Sequence, residues 1–200
     1  MPLLEVEHLK KYFKVGKSML HAVDDVSFTL DAGKTLGVVG ESGCGKTTLG
    51  RTVLHLISPT SGKVVFNGKD MSRPTKKELI AARNEMQIIF QDPYSSLNPR
   101  MSVTETIMEP LIIKGGLSRS EMREEVKRLM DVVGLAERFA NAYPHEMDGG
   151  RRQRVGIARA LAVKPKFIVC DEPVSALDVS IQAQIINLML DLQESMGISY

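Results

Sequence analysis

The sequence predicts an α/β fold, in which strands and helices alternate along much of the chain. In the first part, the short apolar run "TLGVVG" at residues 35 to 40 predicts a strand, and residues 47 to 57 predict a helix that stops at "SPTSG". In the last part, "KFIVCDE" predicts a buried strand with amphipathic helical patterns on either side. Strands that alternate with helices in both parts indicate a sheet covered by helices.

The N-terminal region is predicted to be mostly β-structure. The segment "LLEVEHL", residues 3 to 9, alternates apolar and polar side chains, and so does the end of "AVDDVSFTL", residues 22 to 30. The segment "KVVFNGKDM", residues 63 to 71, predicts a strand followed by an Asn-Gly turn. This region is therefore expected to contain several strands and a single helix.

The middle of the chain has a helical pattern. The stretch "LSRSEMREEVKRLMDVVGL" begins with a capping box of Ser118 and Glu121, carries apolar side chains at helical spacing, and ends at Gly134. Residues 97 to 150 are therefore expected to form a helical insert. After the insert, "RRQRVGIARALA" and "SIQAQIINLMLDLQESMG" each align apolar side chains along one face of a helix.

Composition argues against several classes of protein. The 200 residues include 26 basic and 24 acidic side chains, so the chain lacks the basic excess that nucleic-acid binders use against phosphates. No apolar run approaches the roughly 18 residues that cross a bilayer, and the first residues carry no secretory or transit signal. Cys44 and Cys170 stand far apart in different contexts, which gives no disulfide framework and suits a reducing compartment.

A glycine-rich loop between the predicted strand and helix carries the strongest chemical pattern. "GESGCGKT" matches GxxxxGK(S/T), in which glycines let backbone N–H groups surround phosphates at a helix N-terminus. Lys46 is expected to reach the β and γ oxygens of a nucleotide, and the Thr47 hydroxyl to bind Mg²⁺. The alternative is a turn that only connects a strand to a helix. The residues expected to contact nucleotide are Gly40, Glu41, Ser42, Gly43, Cys44, Gly45, Lys46, Thr47 and Thr48.

Two carboxylates end the apolar run "FIVCDE". In proteins with such a phosphate loop, a strand-end Asp holds the Mg²⁺ shell and a neighbouring Glu can polarise the attacking water. Asp171 is therefore the expected metal residue and Glu172 the expected general base. The alternative, two solvated acids at a strand end, is less favoured beside a phosphate loop.

The order of five motifs resembles that of the ATP-binding-cassette ATPases. The motifs are the phosphate loop, Gln91 in "IIFQDPYSSLNP", the segment "GGRRQRVGIARAL", "DEP" and "SALD". The resemblance runs from about residue 3 to the end of the chain, and five motifs in order make it highly specific. "QDPYSSLNPRMSV" and "SALDVSIQAQI" are similar to the branch that drives bacterial uptake of peptides, nickel and opines.

The resemblance implies a P-loop NTPase fold: an α/β, RecA-like core with an antiparallel β subdomain and an inserted α-helical subdomain. Residues 1 to 200 would form a single ATPase domain, with the core and β subdomain in residues 1 to 96 and 151 to 200 and the helical subdomain in residues 97 to 150. Family members continue past the last helix into a strand that ends in a histidine near the γ-phosphate. A chain ending at "GISY" is therefore expected to be a shortened form with low activity.

The resemblance also implies roles for residues outside the phosphate loop. Gln91 would join the shell of Mg²⁺ and the attacking water. Tyr12 would stack on adenine, with Phe13 as the second choice; the alternative for an aromatic residue there is a core position at a strand end. Asp178 would act across a dimer interface, and the alternative is that it only caps the helix that begins near Ser180.

The family's signature turn, Leu-Ser-Gly-Gly-Gln, is altered in this sequence. In family members, this turn begins a helix whose N-terminus faces the γ-phosphate of ATP held by the opposite subunit. Asp caps a helix as well as Ser does, but a carboxylate repels a triphosphate by on the order of a few kcal/mol at an effective dielectric near 20. Arg151 is therefore expected to neutralise Asp148, and the arginines to form mainly the polar face of the helix. The turn here reads Met147, Asp148, Gly149, Gly150 and Arg151.

The resemblance implies the ATP-binding and ATP-hydrolysing subunit of an importer for peptides or related solutes. The expected cofactors are ATP and Mg²⁺. The expected partners are a second ATPase subunit, identical or homologous, two membrane permeases and, indirectly, a solute-binding protein, with no nucleic acid. The chain would lie at the cytoplasmic face of a bacterial membrane as a peripheral protein. Two alternatives remain: a nucleotide-binding module without turnover, and a soluble cassette ATPase that acts on nucleic acid or the ribosome.

Overall fold

The computed structural model describes all 200 residues, and its N-terminal part is an antiparallel sheet. The sheet has the strand order β2-β1-β3-β4, and each neighbouring pair is antiparallel. Its strands are β1 (Leu4–Val15), β2 (Ser18–Leu30), β3 (Ser61–Phe66) and β4 (Lys69–Asp70). The strands predicted in this region are confirmed, and β1 and β2 extend beyond the prediction because they join in a hairpin at Gly16 and Lys17.

Two local features explain how the sheet folds. Leu4 of β1 and Phe66 of β3 are paired, and both are buried in a cluster of 13 apolar residues on one face of the sheet. Asn67 and Gly68 have φ of 50° and 74°, the left-handed values that a two-residue hairpin turn needs at both central positions. The predicted Asn-Gly turn is therefore confirmed.

The remaining elements are mostly helical. In chain order they are α1 (Lys46–Val53), α2 (Lys76–Glu85), β5 (Met86–Ile89), α3 (Pro93–Ser96), α4 (Val103–Lys114), α5 (Arg119–Val132), α6 (Gly149–Leu161), β6 (Phe167–Cys170) and α7 (Val179–Met196). Reciprocal capping boxes begin three of the helices, at Thr75, Ser102 and Ser118, and the last of these is the one predicted from the sequence. None of the helices combines the length and hydrophobicity that crossing a membrane requires.

A second sheet positions the middle of the molecule. Strands β5 and β6 pair in parallel. On the other side of β6, the Ile168 N–H donates to the Ser199 carbonyl at 2.9 Å, and the Tyr200 N–H donates to the Lys34 carbonyl at 3.0 Å. Helices α4 to α7 pack around β6 in a cluster of 21 buried apolar residues, which includes Leu161 and Ile168. The second sheet thus lies between two apolar clusters, because Met86 of β5 and Phe167 of β6 belong to the cluster of the first sheet.

The strand predicted at residues 35 to 40 is wrong. These residues have no regular secondary structure, and Val38 and Val39 are 50% and 96% exposed. A strand needs a neighbour for its backbone N–H and C=O groups. Here only Lys34 and Leu36 find such a neighbour, and both bond to Tyr200. The apolar run is therefore irregular because most of it is unpaired.

The helix predicted at residues 47 to 57 is shorter than expected. It is present as α1, but it ends at Val53. His55 has φ of 52°, which lies outside the right-handed helical region, so the chain cannot continue the helix there. The length of α1 is set by this turn and not by the apolar pattern.

Candidate functional site

The glycine-rich loop, residues 40 to 47, enters α1 through conformations that glycine adopts most easily. Gly43 and Gly45 have φ of 79° and 100°. A Cβ atom on Gly45 would lie 2.0 Å from the Ala22 carbonyl oxygen, so the backbone of β2 leaves room for glycine alone. The antiparallel sheet therefore fixes the place where the loop becomes a helix.

The N-terminus of α1 is open to a ligand. Its N-cap residue is Gly45, no side chain caps it, and its first turn contains no acidic residue. The first N–H groups of a helix have no partners within the helix, and with the helix dipole they attract anions. Lys46 Nζ donates to the carbonyl oxygens of Gly40 at 2.8 Å and Glu41 at 2.9 Å, so its ammonium lies across the loop. The loop thus presents positive charge and free donors together.

The other predicted residues of the loop have local contacts or none. The Cys44 N–H donates to the Glu41 carbonyl at 3.3 Å, which closes a turn. The Thr48 carbonyl accepts a hydrogen bond from the Thr52 hydroxyl at 2.6 Å. Ser42 is exposed, as is Cys44. The Cys44 thiol lies against the start of the loop, because a Cβ atom on Gly40 would come within 2.6 Å of its Sγ.

The parallel strands bring Gln91, Asp171 and Glu172 to one edge. Ile89 and Cys170 are the last paired residues of β5 and β6, so the residues that follow emerge side by side. Gln91 Nε2 donates to Glu172 Oε2 at 2.7 Å. The Asp171 N–H donates to the Ile89 carbonyl at 3.0 Å, which holds the two strand ends together. Strand pairing therefore joins residues that are 81 positions apart.

Glu172 is held in an unusual backbone conformation. Its φ is 47°, in the left-handed region that residues with side chains rarely occupy. Such a conformation costs about 1–3 kcal/mol and is found most often at functional sites. Glu172 Oε1 lies 4.0 Å from Lys46 Nζ, and the Glu172 side chain is 45% exposed. The strained backbone thus places a solvent-accessible carboxylate beside the phosphate loop.

Thr47 and Asp171 supply oxygen atoms that suit Mg²⁺. Thr47 Oγ1 donates to Asp171 Oδ1 at 2.7 Å, which joins the start of α1 to the end of β6. Mg²⁺ prefers oxygen ligands and is commonly bound by one or two protein groups together with substrate phosphates and water. The residues present therefore fit a magnesium ion shared with a nucleotide. Gln91, the third residue expected at the metal, hydrogen-bonds Glu172 instead of Thr47 or Asp171.

A cavity of about 150 Å³ adjoins these groups. Lys46, Thr47, Asp171 and Glu172 line one end of it, and most of its wall is apolar. Burial at this wall raises the pKa of the Cys170 thiol to about 12, so the thiol stays protonated. The polar end, and not the cavity as a whole, is the candidate phosphate site.

Tyr12 lies on β1 directly opposite His21 of β2. The two rings are stacked, with centroids 3.9 Å apart and planes inclined by 13°. Asp24 accepts a hydrogen bond from the Tyr12 hydroxyl and lies 3.3 Å from His21 Nδ1. Phe13 is the second choice for the adenine contact. The Lys11 ammonium lies over the Phe13 ring, with Nζ 4.8 Å from the ring centroid. Tyr12 is thus a partly exposed ring fixed by two neighbours.

Sequence patterns do not single out His21 and Asp24. The register of the hairpin could have identified His21. The turn at Gly16 and Lys17 pairs Val15 with Ser18, and three pairs further along the strands Tyr12 is opposite His21. Asp24 comes from an irregular part of β2, next to the bulge at Lys11, and no simple pattern places it.

The altered signature turn caps α6 with a neutralised carboxylate. Asp148 Oδ1 accepts a hydrogen bond from the Arg151 N–H at 2.8 Å, and Asp148 Oδ2 lies 2.7 Å from Arg151 Nη1. The expected pairing of these two side chains is confirmed. Both are largely in solvent, so the pair contributes about 0–1 kcal/mol to stability. The main effect of the pair is that Arg151 neutralises the negative charge of Asp148 at the turn.

The other arginines of α6 are bound within the protein. Their guanidinium groups donate to backbone carbonyls outside the helix: Arg152 to Pro144 at 2.6 Å, Arg154 to Val133 at 2.5 Å and Arg159 to Ser96 at 2.7 Å. The expected polar face of α6 is therefore a packed face that ties the helix to neighbouring segments.

The signature turn and the phosphate loop of the same chain lie in different places. The cavity at the turn includes Asp148, Gly150 and Arg151 and has no lining residue in common with the cavity beside Lys46. A Cβ atom on Gly150 would lie 2.7 Å from Ile181 Cγ2, so the turn packs tightly on α7. The structure does not bring the two motifs together within one chain.

Asp178 stands between these regions at the start of α7. Its side chain makes no capping hydrogen bond, although it occupies the N-cap position of a helix that begins at Val179. Asp178 is exposed. Its carboxylate is therefore free for a contact outside the chain.

Comparison with known proteins agrees with the motifs and the geometry. The family model described as "ABC transporter" matches residues 23–175. The oligopeptide transport ATP-binding protein OppF of Bacillus subtilis (strain 168) is 53% identical over 200 residues, which cover 99% of this chain and 66% of that protein. The protein of the same name from Haemophilus influenzae is 52% identical, and the match covers 98% of this chain and 62% of that protein. The chain thus spans less than two thirds of these curated relatives.

Solved structures share the whole fold. The ATP-binding cassette MJ0796, in a dimeric post-hydrolysis state bound to ADP and Pi, superposes with a TM-score of 0.88 at 32% identity and covers 98% of this chain and 85% of that one. The cbiO1 protein of Clostridium perfringens, part of the transporter complex cbiONQ, has a TM-score of 0.85 at 27% identity, with 99% and 76% covered. The family predicted from five ordered motifs is confirmed: this chain belongs to the ABC transporter family.

Proposed function

We propose that this chain binds MgATP at the phosphate loop and hydrolyses it. The observation that carries the proposal is the convergence of Lys46, Thr47 and Asp171 with Glu172 at the junction of α1 and β6. Lys46 would contact the β and γ phosphates, and Thr47 and Asp171 would hold Mg²⁺. The bound ion would neutralise phosphate charge during the reaction. The solved relative that contains ADP and Pi supports this assignment.

Glu172 would act as the general base. Its Oε2 accepts a hydrogen bond from Gln91, which fixes the carboxylate, and its Oε1 remains directed toward Lys46 and the phosphate loop. A water held at Oε1 would lose its proton to Glu172 as the water oxygen attacks the γ-phosphorus. The bond from that phosphorus to the β–γ bridging oxygen then breaks, which gives ADP and phosphate. Gln91 would position both the carboxylate and the water.

A second ATPase subunit, identical or homologous, would complete the site. The phosphate loop and the turn that contains Asp148 and Gly150 line separate cavities, which supports a turn that would serve a nucleotide on another chain. A head-to-tail dimer would set the turn against the γ-phosphate and Asp178 at the interface. The dimeric state of the solved cassette supports this arrangement.

The dimer would drive uptake of a solute through two membrane permeases. Peptides are the solute class that the oligopeptide-transport relatives support, with nickel and opines as the related classes. A solute-binding protein would deliver the solute, and the chain would sit at the cytoplasmic face of a bacterial membrane as a peripheral subunit. Nucleic acid is not a proposed partner, because carbonyl groups of the protein already bind three arginines of α6.

The domain division follows the same logic. Residues 1 to 96 and 151 to 200 would carry the nucleotide, and residues 97 to 150 would form the helical part that holds the signature turn. The capping boxes at Ser102 and Ser118 and the packing of α4 and α5 support a helical unit in this range.

The test is Glu172→Gln, which keeps the hydrogen-bonding shape but removes the base. We expect ATP affinity to be retained and phosphate release to fall by roughly 10²- to 10⁴-fold. The matched control is Glu194→Gln, an exposed glutamate of α7, which should leave both quantities unchanged. Equal phosphate release by the Glu172 variant and the original chain would remove Glu172 as the base. ATP binding without phosphate release by the original chain would instead support the nucleotide-binding module.

A further inference from the structure

We propose that His21 and Asp24 join Tyr12 in a single platform for the nucleotide base, with Asp24 as its positioning residue. The inference rests on the proposed function, since it takes the triphosphate to be held at Lys46. It adds two residues that neither the sequence motifs nor the phosphate site includes.

The stacked rings form the surface of the platform. Tyr12 and His21 are nearly parallel at 3.9 Å between centroids, so each ring covers one face of the other, and His21 is 51% exposed, which leaves an outer face of the stack for a base. A flat base stacks favourably on such a surface. Ring pairs also hold each other in place, which makes a stacked pair a more rigid support than a single exposed ring.

The position of the platform suits a nucleotide whose phosphates lie on the loop. His21 precedes Ala22, and the Ala22 carbonyl closes against Gly45 at the end of the phosphate loop. The strand that carries His21 therefore contacts the loop directly at the next residue. A base on the platform and phosphates at Lys46 would belong to the same ligand.

Asp24 fixes both rings through its two oxygens. Oδ1 accepts from the Tyr12 hydroxyl, and Oδ2 lies 3.3 Å from His21 Nδ1. A carboxylate only accepts hydrogen bonds, so the bonded tautomer of His21 carries its proton on Nδ1. The hydrogen bond from Tyr12, followed by that from His21, lowers the pKa of Asp24 and keeps it ionised. Rotation of the His21 ring breaks its bond to Asp24, and Tyr12 cannot swing to another χ1 rotamer without breaking the other bond.

Asp25 provides a matched control on the same strand. It is the next acidic residue, and its Oδ1 pairs with His8 Nδ1 at 2.9 Å instead of with the platform. Both aspartates are about half exposed, so Asp24→Ala and Asp25→Asn each remove one negative charge, and asparagine tolerates the φ of 56° at Asp25. Only the first removes the hydrogen bonds that orient Tyr12 and His21.

The experiment measures the affinities of each variant for ATP and for inorganic triphosphate, which has no base. Tyr12→Ala should weaken ATP binding by roughly 5- to 100-fold, and His21→Ala and Asp24→Ala by roughly 2- to 10-fold. Triphosphate affinity should stay unchanged in all three variants, and Asp25→Asn should change neither affinity. His21→Phe, which keeps a stacking ring, should recover most of the affinity that His21→Ala loses.

Three results would overturn the inference. Unchanged ATP affinity in His21→Ala and Asp24→Ala would leave Tyr12 as a single-ring contact. A parallel loss of triphosphate affinity would show a general effect on the fold. Absence of both ATP and triphosphate binding in the original chain would contradict the proposed function itself, and the platform with it.

Discussion

The phosphate loop and the signature turn are both glycine-rich turns that open a helix, yet their helix N-termini are prepared in opposite ways. Helix α1 follows the N-cap residue Gly45, which has no side chain to cap it, and Lys46 lies across the loop. Helix α6 follows the N-cap residue Asp148, whose two carboxylate oxygens both contact Arg151. The same local motif is therefore an uncapped helix N-terminus beside a lysine in one place and a capped, charge-balanced turn in the other. Whether a helix N-terminus is available to phosphate depends on its cap as well as on its dipole.

The two turns should differ most in the stability that the fold loses when a methyl group is added to one glycine of each turn. Gly45→Ala would force a left-handed residue against the Ala22 carbonyl and should destabilise the fold by about 2–5 kcal/mol. Gly149→Ala meets only the flexible end of Leu177 at 3.0 Å and should cost less than about 1 kcal/mol. Urea unfolding of both variants checks the contrast. Equal losses would show that the two turns are constrained alike.

Removing the cation of the open turn is expected to have the next largest effect. Lys46→Ala should weaken ATP binding by roughly 10- to 100-fold, because a charge-assisted contact to phosphate contributes about 1.5–3 kcal/mol. Lys77→Ala, which removes an exposed lysine of α2, is the control and should leave affinity unchanged. Isothermal titration with MgATP measures both variants. Full affinity in Lys46→Ala would mean that this loop is not the phosphate site.

The capped turn should respond to its two charges as a pair. Arg151→Gln leaves the Asp148 carboxylate without its cation and should weaken ATP-dependent dimerisation, whereas Asp148→Ser together with Arg151→Gln should restore it. Light scattering with ATP in a Glu172→Gln background follows the dimer without turnover. Arg138→Gln is the control, because Arg138 stacks on Phe139 as Arg151 does but has no contact with Asp148. Strictly additive effects in the double-mutant cycle would contradict the pairing.

The smallest effect concerns access to the two thiols. Cys44 is exposed in the open turn, and iodoacetamide should modify it at pH 8 several-fold more slowly once MgATP is bound. Cys170, whose pKa burial raises to about 12, should react only after unfolding. Because the unfolded thiol ionises at lower pH than the folded one, Cys170 should also make the fold less stable as the pH rises from about 9 toward 12. Mass spectrometry of Cys44→Ser, the control, should show no modified thiol in the folded chain.

Much of the candidate site could be predicted from short stretches of sequence. The loop from residues 40 to 47, the acidic end of β6 and the capping box at Ser118 are local patterns, and each appears where the pattern places it. The pairing of Asp148 with Arg151 is local as well, since the two residues lie one helical turn apart. Backbone geometry within a few residues is enough to determine such contacts.

Other parts depended on neighbours that no local pattern identifies. The apolar run at residues 35 to 40 has the composition of a strand, but a strand exists only where another backbone pairs with it. Gln91 meets Glu172 because β5 and β6 run parallel with their ends in register, and Thr47 meets Asp171 across 124 residues.

The sequence by itself determined the chemistry of each motif, and the tertiary structure decided which motifs share a site. The tertiary structure places Lys46 beside Glu172 and stacks Tyr12 on His21. It also keeps the signature turn away from the phosphate loop of the same chain. The physical reason is that local conformation follows from the sterics and hydrogen bonds of adjacent residues. Contacts between distant residues follow instead from strand register and from the burial of two separate apolar cores, to which the whole chain contributes.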